Sequence, residues 1–337
     1  MNYMRIIFKK FKARMIVGCI LAVIALLAVS VIVFINQASF GRTPRGERLE
    51  RVMKSPNYRN GEFKNQHETL LMTSDRGRFS GIWEFIFRKI DGLRPEQAVK
   101  AIKTDLRKIG RNEEILVWFG HSSYLIQTGG KRILVDPVFC MASPVSFVNK
   151  PFKGTELYTP DDMPDIDYLV ISHDHWDHLD YNTVKKLKDR IGAVICPLGV
   201  GEHFEYWGFD KERLIELDWN EDANLAPGFM IHCLPARHFS GRRLTANQSL
   251  WASFLLETPS QKIYIGGDGG YDTHYAEIGN RFPGIDLAIL ENGQYNEEWS
   301  LIHLMPQYMA QTARDLKAKR VLTVHHSKYA LAKHRWD

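Results

Sequence analysis

The alternation of apolar and polar positions divides the chain into three regions. Residues 15–35 form an unbroken apolar run of 21 positions, with no charge and only Ser30 clearly polar. As a helix this run extends about 31 Å, enough to cross a bilayer core. Residues 41–75 are rich in Arg, Gly, Asn and Pro and show little periodicity, which predicts a linker or a strap over a domain surface. Residues 81–93 place Trp83, Phe85 and Phe87 among charged side chains, a pattern that suits packing on the domain or contact with a lipid interface. Residues 95–109 read as a helix, with Pro95 in its first turn and Ala98, Ile102, Leu106 and Ile109 at near-helical spacing.

From Glu114 onward short β-rich runs dominate. Residues 115–119 and 124–128 are strand-like, Gly129-Gly130 is a two-residue hairpin signal, and residues 131–135 return. Further runs follow at 168–172, 193–196, 230–234, 251–256, 262–265, 287–290 and 321–324, with helical stretches at 182–190 and 307–319. Strands come first in hairpins and then alternate with helices. That order predicts two packed sheets with helices outside, an α/β (α+β) sandwich of α, β, β and α layers. The expected organisation is a basic segment at 1–14, a transmembrane anchor at 15–36, a linker and strap at 37–110, and the sandwich domain at 111–337.

Charge sharpens the picture of the first region. The chain has 44 basic and 39 acidic residues, a net +5. Residues 1–54 alone carry ten basic residues and two acidic ones, so the remaining 283 residues are net −3. The body therefore gives no electrostatic reason to expect nucleic acid, and anionic lipid is the natural counter-charge for the flanks of the apolar run. A cleaved secretory signal and a buried core helix are the competing readings of that run. Its length exceeds a signal's apolar region, and Asn36-Gln37-Ala38-Ser39-Phe40 makes a poor cleavage site, so an uncleaved anchor is favoured. Ile16-Val17-Gly18-Cys19 resembles a lipoprotein cleavage box, but the apolar stretch follows it instead of preceding it. Five basic residues precede the run and Arg42, Arg45 and Arg48 follow it; the positive-inside rule leans toward a cytoplasmic N-terminus and an extracytoplasmic body. Cys19, Cys140, Cys196 and Cys233 show no pairing or metal-type spacing and read as small hydrophobes.

The chemistry is concentrated in Ser172-His173-Asp174-His175-Trp176-Asp177-His178-Leu179-Asp180, directly after the apolar run 168–171. His173 and His175 are two apart, so in an extended segment both imidazoles reach one metal. Asp177 and His178 fall in the following turn, within reach of a second metal. Asp180 is placed to cap the next helix. Two His and a carboxylate at this spacing suit Zn²⁺, Fe or Mn, with Zn²⁺ the default. Completing two sites needs donors from elsewhere, and each candidate again follows an apolar run: His238, Asp268 within Gly266-Gly267-Asp268-Gly269-Gly270, and His325.

This set, His173-x-His175-x-Asp177-His178 with His238, Asp268 and His325, resembles the metallo-β-lactamase-fold hydrolase superfamily. Trp118-Phe119-Gly120-His121, Leu134-Val135-Asp136-Pro137, Pro235-Ala236-Arg237-His238 and Val324-His325-His326 resemble one branch, which contains N-acyl-phosphatidylethanolamine-hydrolysing phospholipase D-type enzymes and related bacterial proteins. The match runs from about Asn57 to the C-terminus. The resemblance implies His173, His175 and His238 at a first metal, Asp177, His178 and His325 at a second, and Asp268 bridging. It implies His303 as a further active-site histidine, and His121 and Asp136 as supports beside the metals. His326 competes with His325, since neighbours in a strand point to opposite sides; the following Tyr329-Ala330-Leu331 favours His325. The family continues beyond the point where this chain ends, twelve residues after His325, so a shortened last helix and an altered rim are expected.

The implied mechanism uses two divalent cations holding one water as hydroxide, oriented by Asp177 or Asp268, with His303 binding the oxyanion or protonating the leaving group. A pocket-shaping role for His303 is the alternative. The leading function is a membrane-anchored phosphodiesterase acting on phospholipids. A lactonase or other ester hydrolase of the same fold is the first alternative, and a non-catalytic membrane-tethered metal-binding protein the second. Expected partners are a lipid or other small-molecule substrate and the membrane itself; an oligomer is compatible with the sequence.

Overall fold

The computed structural model describes residues 2–73, 90–332 and 334–336. The chain forms two compact units, Met1–Phe40 and Gly41–Asp337. The first is built on one long helix, α1 (Asn2–Ile35), which continues the apolar run back through the basic segment. Its stretch Lys10–Ile35 is long and apolar enough to cross a membrane, with apolar side chains exposed all round. Ser30 donates its hydroxyl hydrogen bond to the Leu26 carbonyl four residues back (2.8 Å), which satisfies the one polar side chain in the run.

The second unit opens with α2 (Gly46–Lys54) and a small hairpin of β1 (Tyr58–Arg59) and β2 (Glu62–Phe63). Two six-stranded sheets follow. The first contains β3 (Ile115–Trp118), β4 (Tyr124–Thr128), β5 (Lys131–Val135), β6 (Ile166–Val170), β7 (Ile191–Pro197) and β8 (Leu214–Leu217), in that order. The second contains β9 (Asp222–Ala226), β10 (Phe229–Leu234), β11 (Ser253–Glu257), β12 (Lys262–Ile265), β13 (Leu287–Glu291) and β14 (Val321–Val324), also in order. Each sheet begins antiparallel and ends parallel: the change comes at β5–β6 in the first and at β12–β13 in the second. The helices are α3 (Tyr181–Leu187), α4 (Gly201–Tyr206), α5 (His274–Arg281) and α6 (Met309–Asp315).

Side-chain alternation explains the layers. Ile126, Val135, Val170 and Ile195 of one sheet meet Ile231, Phe254, Ile265 and Ile289 of the other in the central core. Their neighbours Leu125, Leu134, Leu169 and Val194 point outward and are covered by Val184 and Leu187 of α3 and Phe204 of α4. Leu255, Tyr264 and Leu290 are covered by Tyr275 and Ile278 of α5. Strands buried on both faces need this double cover, and the result is the expected αββα sandwich. Gly129 and Gly130 turn the β4–β5 hairpin with φ of +51° and +75°, the primed geometry that a two-residue loop requires. A Cβ on Gly129 would lie 2.8 Å from the Phe229 ring, which also excludes a side chain.

Two sequence expectations are corrected, and four elements were missed. Residues 95–109 contain no helix. Val99 donates its N–H to the Lys153 carbonyl (2.7 Å) and Thr104 to the Tyr158 hydroxyl (2.8 Å), so the segment pairs with its neighbours and only Leu106 enters the core. Ile102, assigned to the apolar face, is 88% exposed. The edge strands β8 and β9 and the short helices α4 and α5 lack the clear apolar patterning of the interior elements, and were not anticipated. Finally, Arg42 and Arg48 are not free to meet lipid headgroups. Arg42 Nε lies 2.5 Å from Glu202 Oε1, and Arg48 bridges Glu202 (2.6 Å), Glu205 (2.9 Å) and Glu216 (2.6 Å). Residues 81–89 of the aromatic segment lie outside the described residues.

The Glu202 carboxylate is almost wholly buried between these arginines. Removing one partner of a buried ion network strands the others. Glu202→Ala is expected to lower the unfolding free energy of the detergent-solubilised chain by about 3 kcal/mol, read from denaturant melts; an unchanged midpoint would refute the network's role.

Candidate metal centre

Strands β3, β5 and β6 of one sheet and β10, β12, β13 and β14 of the other run in a common direction within their sheets, and the loops that follow them carry the functional groups. Asp136, after β5, is the hub. Its carboxylate accepts from the Ser172 backbone N–H (2.8 Å) and hydroxyl (2.6 Å), and lies 2.8 Å from His178 Nδ1. His178 donates from Nδ1, so Nε2 is the nitrogen that faces Asp268 Oδ2, at 3.2 Å. The same logic fixes two more rings. His238 Nδ1 donates to the Ile302 carbonyl (2.7 Å), freeing Nε2. Ser172 spends its proton on Asp136 and so accepts from His173 Nδ1 (2.9 Å), freeing His173 Nε2. That atom lies 2.8 Å from His175 Nδ1, and His238 Nε2 lies 3.3 Å from the same nitrogen.

Two groups of donors result. His173, His175 and His238 gather on one side, and His121, Asp177, His178 and His325 on the other. Asp268, on the glycine-rich turn after β12, stands between them: 3.2 Å from His178, 3.8 Å from His238 and 3.2 Å from His325 Nδ1. His121 Nε2 lies 3.0 Å from Asp177 Oδ2. All seven sequence-predicted ligand residues, His121, Asp136 and His303 thus converge on one region. His326 turns away, toward Ser327 and Thr323. The strand has ended at Val324, and His325 takes a left-handed φ of +68°. Asp180 caps α3 by accepting from the Asn182 N–H (3.0 Å).

The donor set fits a cation. Imidazole lone pairs and carboxylate oxygens face one another in a buried space, and His178 Nε2 and Asp268 Oδ1 make no well-directed hydrogen bond. Burial holds His173, His238 and His325 well below the usual histidine range and His175 at about 4, so these rings are neutral donors. Burial, reinforced by Glu291, raises Asp268 to about 6 despite neighbouring His178. A cation beside this carboxylate would favour its charged form.

Glu291, at the end of β13, was missed by sequence reasoning. Its Oε1 accepts from the N–H groups of Gly269 (3.2 Å) and Leu304 (2.9 Å) and lies 2.9 Å from His303 Nδ1. Burial alone would lower His303; the Glu291 carboxylate outweighs it and holds the ring at about 9. A glutamate closing the apolar run 287–290 was the available signal. Asn65 and His203 were also missed, and no local motif marks either.

A family model described as a beta-lactamase superfamily domain matches residues 131–326. The chain belongs to this family. As a member it is a metal-dependent hydrolase of the metallo-β-lactamase fold, and the fold implies divalent metal binding. An uncharacterized protein of Mycobacterium tuberculosis is 36% identical over 292 residues, covering 84% of this chain and 77% of that one. The N-acyl-phosphatidylethanolamine-hydrolyzing phospholipase D 1 of Caenorhabditis elegans is 29% identical over 231 residues, 64% of each chain. Among solved structures, the metallo hydrolase Igni18 of Ignicoccus hospitalis superposes with a TM-score of 0.50 at 20% identity, over 63% of this chain and 82% of that one.

Metal loading should register as stability. With Zn²⁺ at 100 times its Kd, stabilisation of about 2.7 kcal/mol is expected, reversed by a chelator. Asp268→Ala should abolish most of that rise in melting temperature; a full rise in the variant would remove Asp268 from the site.

Proposed function

We propose that this protein is a membrane-anchored phosphodiesterase that uses two divalent cations, Zn²⁺ by preference, to hydrolyse phospholipids of the N-acyl-phosphatidylethanolamine type. The observation that carries this reading is the placement of Asp268 between two groups of donors, within 3.2 Å of His178 and His325 and 3.8 Å of His238. In this reading His173, His175 and His238 hold one cation, Asp177, His178 and His325 the other, and Asp268 serves both. Two such cations would supply an activated water and a Lewis acid for the phosphoryl oxygens.

The remaining steps fall to the chain's own groups. Asp136 and the Ile302 carbonyl keep His178 and His238 turned to donate lone pairs. His121 hydrogen-bonds the Asp177 carboxylate and fixes its direction. Asp177 and Asp268 are the carboxylates placed to orient the attacking water. His303 engages Glu291 through Nδ1, so Nε2 is the nitrogen available to substrate. Held cationic by that carboxylate, it stabilises the developing oxyanion or protonates the leaving alkoxide. The kinship with a phospholipase D and the apolar helix α1 support a lipid substrate at a membrane. The basic segment before the run supports a cytoplasmic N-terminus and an extracytoplasmic catalytic domain.

The test is turnover of a small panel by the metal-loaded full chain in detergent. N-acyl-phosphatidylethanolamine should yield phosphatidic acid, and an ordinary phospholipid less. Brisk opening of an acyl-homoserine lactone with neither phospholipid touched would overturn the assignment. His303→Ala is expected to lower kcat by roughly 10²–10⁴-fold while metal content stays at the wild-type level; equal kcat would reduce His303 to a wall of the pocket.

A further inference from the structure

We propose that the strap Gly41–Thr73 is part of the metal site's support, with Asn65 and His203 as positioning residues; this rests on the reading that His173, His175 and His238 hold a cation. The strap lies outside the segment matched by the family model. It reaches the site at two places.

The first is Asn65. Its Oδ1 receives the N–H of His238 (3.1 Å) and the indole N–H of Trp251 (3.1 Å), and its Nδ2 donates to the His238 carbonyl (2.8 Å). Two donors converge on one atom, so the orientation of the amide is determined. Both backbone polar groups of His238 are thereby held by a single side chain, while Ile302 aims the ring. The preceding Arg237 is held by the strap as well, through Thr69 Oγ1 (3.0 Å) and the Glu68 carbonyl (2.8 Å).

The second is His203. The Arg42 backbone N–H donates to its Nδ1 (3.0 Å), which places the ring proton on Nε2. Nε2 then donates to Asp174 Oδ2 (3.1 Å). Asp174 stands between His173 and His175 in the chain and is also held by the Gly241 N–H (2.7 Å) and the Ser249 hydroxyl (2.9 Å). The backbone at Gly41 comes so close that a Cβ there would lie 2.0 Å from His203 Nδ1, at a φ of +64° that glycine alone accepts readily.

The strap is also anchored away from the site, through Arg48 to Glu202, Glu205 and Glu216 and through Asn57 to Asp218. At Asn65 the strap holds the loop after β10 directly, and at Arg42 it reaches the loop after β6 through His203 of α4; those two loops, one from each sheet, supply the three histidines of one donor group. It therefore ties together two elements whose separation sets the spacing of the ligands. Residues that orient ligands in this way commonly change metal affinity by 10–100-fold.

The experiment compares Zn²⁺ retention against a chromogenic chelator, and the visible spectrum after Co²⁺ substitution, in full-length protein. Asn65→Ala should lose Zn²⁺ roughly 10–100-fold more readily and shift the Co²⁺ bands. Trp251 keeps its bond to the Ala236 carbonyl (2.9 Å), so the core is not stripped of a partner. His203→Ala, on the other latch, should behave likewise and carries the test if Asn65→Ala does not fold. Arg51→Ala breaks the strap's exposed ion pair with Glu221 (2.6 Å) and should leave both readouts unchanged. Wild-type affinity and spectrum in both Asn65→Ala and His203→Ala, whatever their melting temperatures, would overturn the proposal. Failure of the wild-type chain to take up metal would instead overturn the site reading beneath it.

Discussion

The site depends on a short backbone junction between the two sheets. The His325 N–H donates to the His121 carbonyl (2.9 Å), and the His121 N–H donates to the His326 carbonyl (3.0 Å). This reciprocal pair joins the loop after β3 to the end of β14, one from each sheet. Both His121 and His325 adopt left-handed backbone conformations, with φ of +55° and +68°. Non-glycine residues pay for that geometry, and such strain persists where surrounding structure imposes it. Here the imposed turn brings His325 into the site and sends His326 out of it. Asp136, with φ of +41°, is a third residue of this kind and carries the hydrogen bonds of Ser172 and His178.

Electrostatics follow from the same constraint. Gathering neutral imidazoles and several carboxylates in one buried space is unfavourable without a cation. Four of the rings are fixed from behind: His178 by Asp136, His238 by Ile302, His173 by Ser172, and the cationic His303 by Glu291. These partners determine which nitrogen donates inward. The strap adds a further level, holding the backbone of His238 directly and, through His203 of α4, the Asp174 carboxylate between His173 and His175. The arginines after the apolar helix, which read in sequence as a membrane flank, are largely turned to Glu202, Glu205 and Glu216 inside the domain.

Much of this was legible in the chain itself. Alternating apolar runs identified ten of the sandwich strands, because a side chain in a buried strand must be apolar on the core face. The clustered histidines and aspartates of residues 173–178 were visible because local spacing alone can present them together, and Gly129-Gly130 because its turn demands φ values that few residues accept. Less legible were β8 and β9, edge strands whose open faces relax the pattern, and residues 95–109, whose helical spacing lost to hydrogen bonds with residues 153 and 158. Propensity is a weak prior where a neighbouring segment of the same chain offers partners. What the sequence determined by itself was therefore periodicity, turn chemistry and the kinds of donor present. Only the tertiary structure decided that Asn65, His203 and Glu291 lie beside the site, which nitrogen His173, His178 and His238 turn inward, and which carboxylates Arg42 and Arg48 meet. Those outcomes depend on contacts between residues far apart in the chain, and no local pattern encodes such contacts.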